Sequence, residues 1–98
     1  MIITDNSAQS SIGLAVLGLY RDKLTPPVQI ELKVRGGQQV LVVTGPQATL
    51  ESNSFGWGRL DERTKALWQA TSVLGWSLPL ELLQQIPPDQ ERLIRGSK

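Results

Sequence analysis

The sequence contains neither cysteine nor histidine. The absence of cysteine excludes disulfides, thiolate nucleophiles and thiolate metal sites. The absence of histidine removes the most common metal ligand and the most common general base. A catalytic site would have to use carboxylates, lysines, hydroxyls or the single Tyr20. We therefore expect a protein that is not an enzyme and that uses no metal or other cofactor.

An excess of charge of one sign is also missing. Ten basic and nine acidic residues give a net charge of +1, and neither half of the chain is a polycationic arm. General electrostatic attraction to nucleic acid or to an anionic membrane is therefore weak. The apolar run over residues 12–20 is shorter than the roughly 20 residues of a membrane span, and "MIITDNSAQSS" lacks the basic start of a signal peptide. These features favour a cytoplasmic protein without membrane contact.

The chain is long enough for one domain. It has 98 residues, of which 40% are hydrophobic and 19% are charged, as in a folded globular protein. We expect a single small domain over residues 1–98, with residues 1–6 and 96–98 frayed. The core of so short a chain is modest, and many such domains complete it by dimerising.

The first quarter of the sequence predicts an amphipathic helix over residues 7–24. Its apolar residues recur at the spacing of one helical face: Ile12, Val16, Leu19, Tyr20 and Leu24. Asn6 or Ser7 would cap the start, and Pro26–Pro27 would end the helix. Because short apolar runs are ambiguous, a strand over residues 12–20 remains an alternative.

The segment "VQIELKVRGGQQVLVVTG" predicts a β-hairpin with Gly36–Gly37 in its turn. A two-residue loop places Leu32 opposite Leu41, whereas a three-residue loop shifts this register by one. In both registers two large apolar residues of the return strand fall on the otherwise polar face. We therefore expect this strand to be covered on both faces, by a helix of the same chain or by another subunit.

The second half predicts a helical hairpin after a short third strand near residues 47–51. Asp61 is a suitable N-cap for a helix ending near Leu74, with Gly75 as its stop. Ser77 would cap a second helix, "LPLELLQQI", and the tail from residue 88 would form a helical turn. The predicted fold is α+β: an N-terminal helix, an antiparallel hairpin of two or three strands and a C-terminal helical hairpin, in the order α–β–β–(β)–α–α.

The leading functional hypothesis is a non-catalytic protein–protein interaction or assembly module that forms a homodimer. The two helices also fit a DNA-binding helix-turn-helix, but the second one is acidic and rich in leucine, which suits a major groove poorly. Its wide apolar surface and the apolar return strand favour a protein partner instead. The candidate interface residues are Val40, Val42, Trp57, Leu80 and Leu83.

An alternative is a small nucleic-acid-binding or nucleotide-binding domain that uses the hairpin tip. Its candidate residues are Lys33, Arg35, Trp57, Arg59 and Arg63. This alternative requires the basic residues to converge around an exposed indole on which a base stacks. Acidic residues are interleaved with them, so a solvated surface of mixed charge is the competing interpretation.

The stretch "SNSFGWGRLDER" places Trp57 between two glycines just before a helix start. Glycines before a helix N-terminus are compatible with an anion site, but Asp61 and Glu62 bring negative charge to the same place. Trp57 is then either a packing anchor or a contact surface. We predict a packing anchor at the corner between the sheet and the helix.

Overall fold

The computed structural model describes residues 1–25, 29–76 and 78–95. Within these ranges the chain forms five strands and four helices. In chain order they are β1 Ile2–Asp5, α1 Ser10–Leu19, α2 Arg21–Leu24, β2 Gln29–Arg35, β3 Gln38–Thr44, β4 Thr49–Ser52, α3 Glu62–Val73, α4 Leu80–Gln85 and β5 Arg92–Arg95. The α+β class is confirmed, including the N-terminal helix, the hairpin with its third strand and the C-terminal pair of helices.

The strands form one mixed sheet in the order β1-β4-β3-β2-β5. β1 pairs with β4 in parallel, and the other neighbours pair antiparallel. The parallel pair arises because α1 and α2 connect β1, at one edge, to β2 on the far side of β3 and β4. The carboxyl ends of β1 and β4 therefore lie side by side, and this end of the sheet adjoins the site described below.

The hairpin has the two-residue loop. Gly36 and Gly37 have φ of 59° and 79°, and these positive angles suit the tight turn that joins twisted antiparallel strands. Leu32 is paired with Leu41, as this loop predicts, and the three-residue alternative is wrong.

The helices cover one face of the sheet. Buried side chains from all four helices and from alternate strand positions form a single hydrophobic cluster. Its members from helices are Leu17, Leu24, Ala66, Leu67, Ala70 and Leu83, and its members from strands are Ile3, Ile30, Leu32, Leu41, Val43 and Leu50. The result is a two-layer arrangement in which the sheet supplies one apolar face and the helices supply the other.

Both ends of the described chain differ from the prediction. Residues 2–5 were expected to fray but form β1, and residues 92–95 were expected in a helical turn but form β5. Each strand pairs with a neighbour remote in sequence, β4 for β1 and β2 for β5. Local sequence carries little signal for such pairings, because their hydrogen bonds depend on residues more than 40 positions away.

The N-terminal helix forms, so the strand alternative is wrong, but it is divided at Tyr20 into α1 and α2. Gly13 and Leu17 lie on its buried face, while Ile12 and Leu19, which the spacing placed toward the core, are exposed. The N-cap is Gln9, and no side chain caps the helix there. Gly13 lies close to Ser54 and Phe55, so this side of the helix faces the core and its widest apolar stripe does not.

The cap and stop of α3 agree with the prediction. The Asp61 carboxylate accepts a hydrogen bond from the Thr64 backbone N–H at 3.0 Å, and Gly75 has the positive φ of 90° that commonly follows a helix end. The cap at Ser77, the stop at Pro26–Pro27 and the fraying of residues 96–98 fall outside the described residues.

The return strand β3 is covered differently from what we expected. Val42 is only 6% exposed although its side chain projects away from the helical layer. Its cross-strand partners are Glu31 and Glu51, and Arg35 binds the Glu51 carboxylate at 3.1 Å. Charged side chains on both neighbouring strands therefore flank this valine, and its burial arises within a single chain. A covering helix or subunit is not needed to explain its burial.

Candidate functional site

A groove of about 710 Å³ lies between α1, the first half of α3 and α4. We call it the helical groove. Its lining residues are Ser10, Ser11, Leu14, Leu60, Asp61, Glu62, Lys65, Ala66, Gln69, Leu80 and Gln84. Three leucines and one alanine lie in this lining among polar and charged side chains.

The α1 wall is held by a buried polar cluster around Asp5, which is 5% exposed. Its carboxylate accepts hydrogen bonds from the hydroxyls of Ser52, at 2.8 Å, and Ser54, and from the backbone N–H of Ser7, at 3.0 Å. Asp5 ends β1 and Ser52 ends β4, so the parallel pairing brings them together. The cluster therefore ties the sheet to the segment that leads into α1.

The protonation of Asp5 follows from two opposing effects. Burial raises the pKa of its carboxyl, while the hydrogen bonds from Ser54, Ser7 and Ser52 lower it. Together the hydrogen bonds prevail and hold the pKa below its ordinary value. The cluster thus contains a carboxylate that is ionised at neutral pH and already occupied by donors, which suits a structural role better than that of a general base.

α1 rests directly on Ser54, one of the hydroxyl donors of this cluster. A Cβ added to Gly13 would lie 2.5 Å from the Cβ of Ser54. One turn earlier, the Ser10 hydroxyl donates to the Ser54 carbonyl oxygen at 3.0 Å. These contacts fix the start of α1, with Ser10 and Ser11, at one side of the groove.

The opposite side is held by the glycine-rich loop and its tryptophan. Trp57 has no exposed surface, as a packing anchor requires. Its indole N–H donates to the Gln90 carbonyl oxygen at 3.1 Å, and the Gln39 amide donates to the Trp57 carbonyl oxygen at 3.0 Å. The ring and backbone of Trp57 thereby connect the sheet to the segment before β5.

Gly58 joins the same loop to α4. Its N–H donates to the Leu83 carbonyl oxygen at 2.8 Å, and its φ is 79°. A Cβ at this position would approach the Ile86 carbonyl oxygen to 2.4 Å. Only glycine allows this backbone contact, which places α4 along the groove.

Immediately after this contact the chain exposes Leu60, whose side chain is 86% accessible at the rim of the groove. Glu62 and Lys65 follow on α3 and line the same wall. One small area thus combines an exposed leucine, a recess whose lining includes Leu14 and Leu80, and charges of both signs.

The predicted interface residues are not brought together. Leu80 lines the groove, but Leu83 and Trp57 are buried in the core. Val40 and Val42 alternate with the core-facing residues of β3 and so lie on the other face of the sheet. Of the five, Leu80 is the one that the structure places at the groove.

The predicted basic residues do not converge either. Lys33 and Arg35 lie on the outer face of the sheet and pair with Glu31 at 3.7 Å and Glu51 at 3.1 Å. Arg63 lies on the helical side, where its guanidinium donates to the carbonyl oxygens of Asn53 at 2.7 Å and Phe55 at 3.0 Å. Arg59 is exposed beside Leu60. With Trp57 buried, base stacking would require its ring to leave the core.

Sequence reasoning missed Leu60 and Asp5. Leu60 is the single apolar residue of the charged run "RLDER", and its position outside every predicted element was an available signal. Asp5 lay in a segment expected to fray, so the sequence provided no reason to consider it.

No protein-family model, curated protein or solved structure matches the chain. Among the described residues, no helix is both long and apolar enough to cross a membrane. Over the same residues, acidic side chains do not gather in groups of three that could hold a metal ion.

Proposed function

We propose that this chain is a non-catalytic protein–protein interaction and assembly module that forms a homodimer through the helical groove. The observation that carries the proposal is Leu60, 86% exposed at the rim of a groove lined by Leu14 and Leu80. Burying a leucine contributes about 1.5–3 kcal/mol, so a partner that covers Leu60 gains substantially. We place this module in the cytoplasm, in keeping with a chain that has no cysteine.

A second copy of the chain is the occupant that this surface fits best. In a two-fold dimer the same patch occurs on both subunits, so it must contain both a protrusion and a recess. Leu60 supplies the protrusion and the adjoining groove supplies the recess. The two-fold operation would place each Leu60 against the groove of the other subunit.

The charges at the groove support the same occupant. Glu62 and Lys65 lie one turn apart on α3, and both line the groove. In a symmetric dimer Lys65 of one subunit can face Glu62 of the second, and the reverse pair then forms automatically. Such complementary charges set the orientation of association more than its strength.

The test compares two exposed leucines by sedimentation equilibrium. Leu60→Ser should weaken dimerisation at least about tenfold, since the loss of about 1.4 kcal/mol changes a dissociation constant by that factor. Leu19→Ser is the matched control, because Leu19 is 75% exposed on α1 but does not line the groove. A monomeric parent chain, or equal dissociation constants for both variants, would count against the proposal.

Charge reversal tests the two-fold pairing. Lys65→Glu should weaken the dimer by placing carboxylates opposite one another, and the double variant Glu62→Lys/Lys65→Glu should restore it. If the double variant is weaker than the single one, these residues do not face each other, and this two-fold arrangement is wrong.

We rank nucleic-acid binding second. Lys33 and Arg35 share the outer face of the sheet, but each forms an ion pair with a carboxylate of the same chain. The Arg63 guanidinium donates to a backbone carbonyl oxygen of the loop. If single-stranded oligonucleotides bind at low salt, the affinity should fall steeply as salt is raised, and Lys33→Ala/Arg35→Ala should reduce both the affinity and its salt dependence. Absence of binding at low salt would remove this alternative.

A further inference from the structure

β1 is an edge strand whose second side is not paired within the described part of the chain. The Thr49 N–H donates to the Met1 carbonyl oxygen at 3.0 Å, and the Asn53 N–H donates to the Asp5 carbonyl oxygen at 3.1 Å. In a parallel pair, alternate residues of a strand bond to the neighbour. The backbone groups of Ile2 and Thr4 therefore point away from β4 and are available to another strand.

The two edges of the sheet differ in how they are protected. Proteins commonly protect an edge strand with charge, proline or a bulge. β5, at one edge, begins with the exposed Arg92. β1, at the other, exposes Ile2 (71%) and Thr4, while its one charged residue, Asp5, is turned into the buried serine cluster. Strand β1 therefore exposes no charged side chain along its outer edge.

We infer that β1 is a second self-association site, which pairs antiparallel with β1 of another copy about a two-fold axis at Ile3. In this register Ile2 and Thr4 of one copy form a hydrogen-bonded pair with Thr4 and Ile2 of the other. Each pair exchanges two backbone hydrogen bonds, so the contact makes four. The outward-pointing backbone N–H and C=O groups of Ile2 and Thr4 thus all find partners in the same two residues of a second copy.

Charge also favours pairing of two copies at the β1 edge over pairing at the β5 edge. Two β1 strands can approach each other without repulsion, because Ile2 and Thr4 carry no charge. Two β5 strands would bring Arg92 of one copy toward the β5 edge of the other copy, which carries the same positive charge. The inference goes beyond the groove dimer, because a chain with two different self-interfaces assembles further than a dimer. The two interfaces lie on separate elements and can be removed independently.

Disulfide trapping provides the decisive experiment, since the native chain has no cysteine. The Cα atoms of a hydrogen-bonded antiparallel pair are about 5.5 Å apart, a separation that disulfides favour. A mixture of Ile2→Cys and Thr4→Cys chains should form a crosslinked dimer several-fold more efficiently under mild oxidation than either variant alone. The control mixture pairs Thr4→Cys with Leu93→Cys, which lies on the other edge strand. A yield no higher than that of the control would overturn the inference.

A proline substitution separates this interface from the groove. In the Leu60→Ser background, Thr4→Pro should reduce the remaining self-association at least about tenfold, because it removes the outward N–H. Thr4→Val keeps this N–H and should have little effect. Circular dichroism reports whether each variant is folded. Equal self-association of the proline and valine variants would contradict β1 pairing. If the proline variant is unfolded, the crosslinking yield of the cysteine variants decides whether β1 pairs with β1. If Leu60→Ser and Leu19→Ser have equal dissociation constants while the β1 crosslink still forms, the proposed function alone is refuted.

Discussion

The Ser52 hydroxyl donates a hydrogen bond of 2.8 Å to the carboxylate of Asp5, which lies directly beside it at the ends of the parallel strands β4 and β1. Ser54 and the N–H of Ser7 complete the set of donors. This contact links the one parallel strand pair of the described sheet to the start of α1. It therefore holds β1 at the edge of the sheet and fixes the position of α1, which forms one side of the helical groove.

The buried carboxylate should make stability depend on acid pH. Because the pKa of Asp5 is lower in the folded chain than in the unfolded one, its contribution is fully present above the unfolded value of about 3.9 and is lost as the pH falls through the folded value. Asp5→Asn should therefore lower the free energy of unfolding by about 1–3 kcal/mol at pH 7. The difference from the parent chain should shrink below about pH 4.

Urea unfolding at pH 7, 5 and 3 measures this effect, with Asp22→Asn on the exposed side of α2 as the control. A constant difference between Asp5→Asn and the parent across this range would show that the ionised carboxylate contributes nothing beyond its neutral form.

Two glycines of α1 should respond oppositely to the same substitution. Gly13→Ala forces a Cβ against the Ser54 side chain, whereas a Cβ on Gly18 meets nothing within 4 Å. Gly18→Ala should stabilise the chain by up to about 1 kcal/mol through helix propensity. Gly13→Ala should destabilise it, because α1 must move away from Ser54. Thermal unfolding followed by circular dichroism distinguishes them, and equal shifts in Tm would mean that α1 does not rest on Ser54.

Trp57 should be a major contributor to stability. Trp57→Ala removes a fully buried ring and should cost about 3–5 kcal/mol. Trp57→Phe fills most of the space but leaves the Gln90 carbonyl oxygen without its indole donor, so its cost should be smaller. Trp68→Phe, at a half-buried position of α3, is the control.

These costs are measured by urea unfolding followed by circular dichroism, so that loss of a fluorophore does not affect the readout. If Trp57→Ala leaves the midpoint unchanged but abolishes dimerisation, the side chain is a contact residue and the packing assignment is wrong.

Much of the fold follows from local chemistry. The alternation in β2 and the Gly36–Gly37 turn predict the hairpin and its register, since a two-residue loop and a period of two leave little freedom. The capping Asp61 and the terminating Gly75 predict the limits of α3 for the same reason: each acts on the backbone within one turn.

The candidate site was much less predictable. Leu80 was identified from its place on an apolar helix, but the solvent exposure of Leu60 depends on how the Gly58 loop contacts α4. Leu83 has the same side chain in the same helix, yet it is buried in the core. Sequence spacing shows that the apolar face of this helix is wider than the core can bury. Packing then decides which leucines of that face remain exposed to solvent.

The sequence by itself thus determined the elements whose signals are local: the central hairpin, the Asp61-capped helix, and a composition in which cysteine and histidine chemistry have no part. Tertiary structure decided the rest. It made strands of residues 2–5 and 92–95, buried Trp57 and Val42, and joined Asp5 to Ser52 across 47 residues of chain. The physical reason is that edge pairing, side-chain shielding and a buried carboxylate all depend on partners that are distant in sequence and meet only when the sheet and the helices have come together.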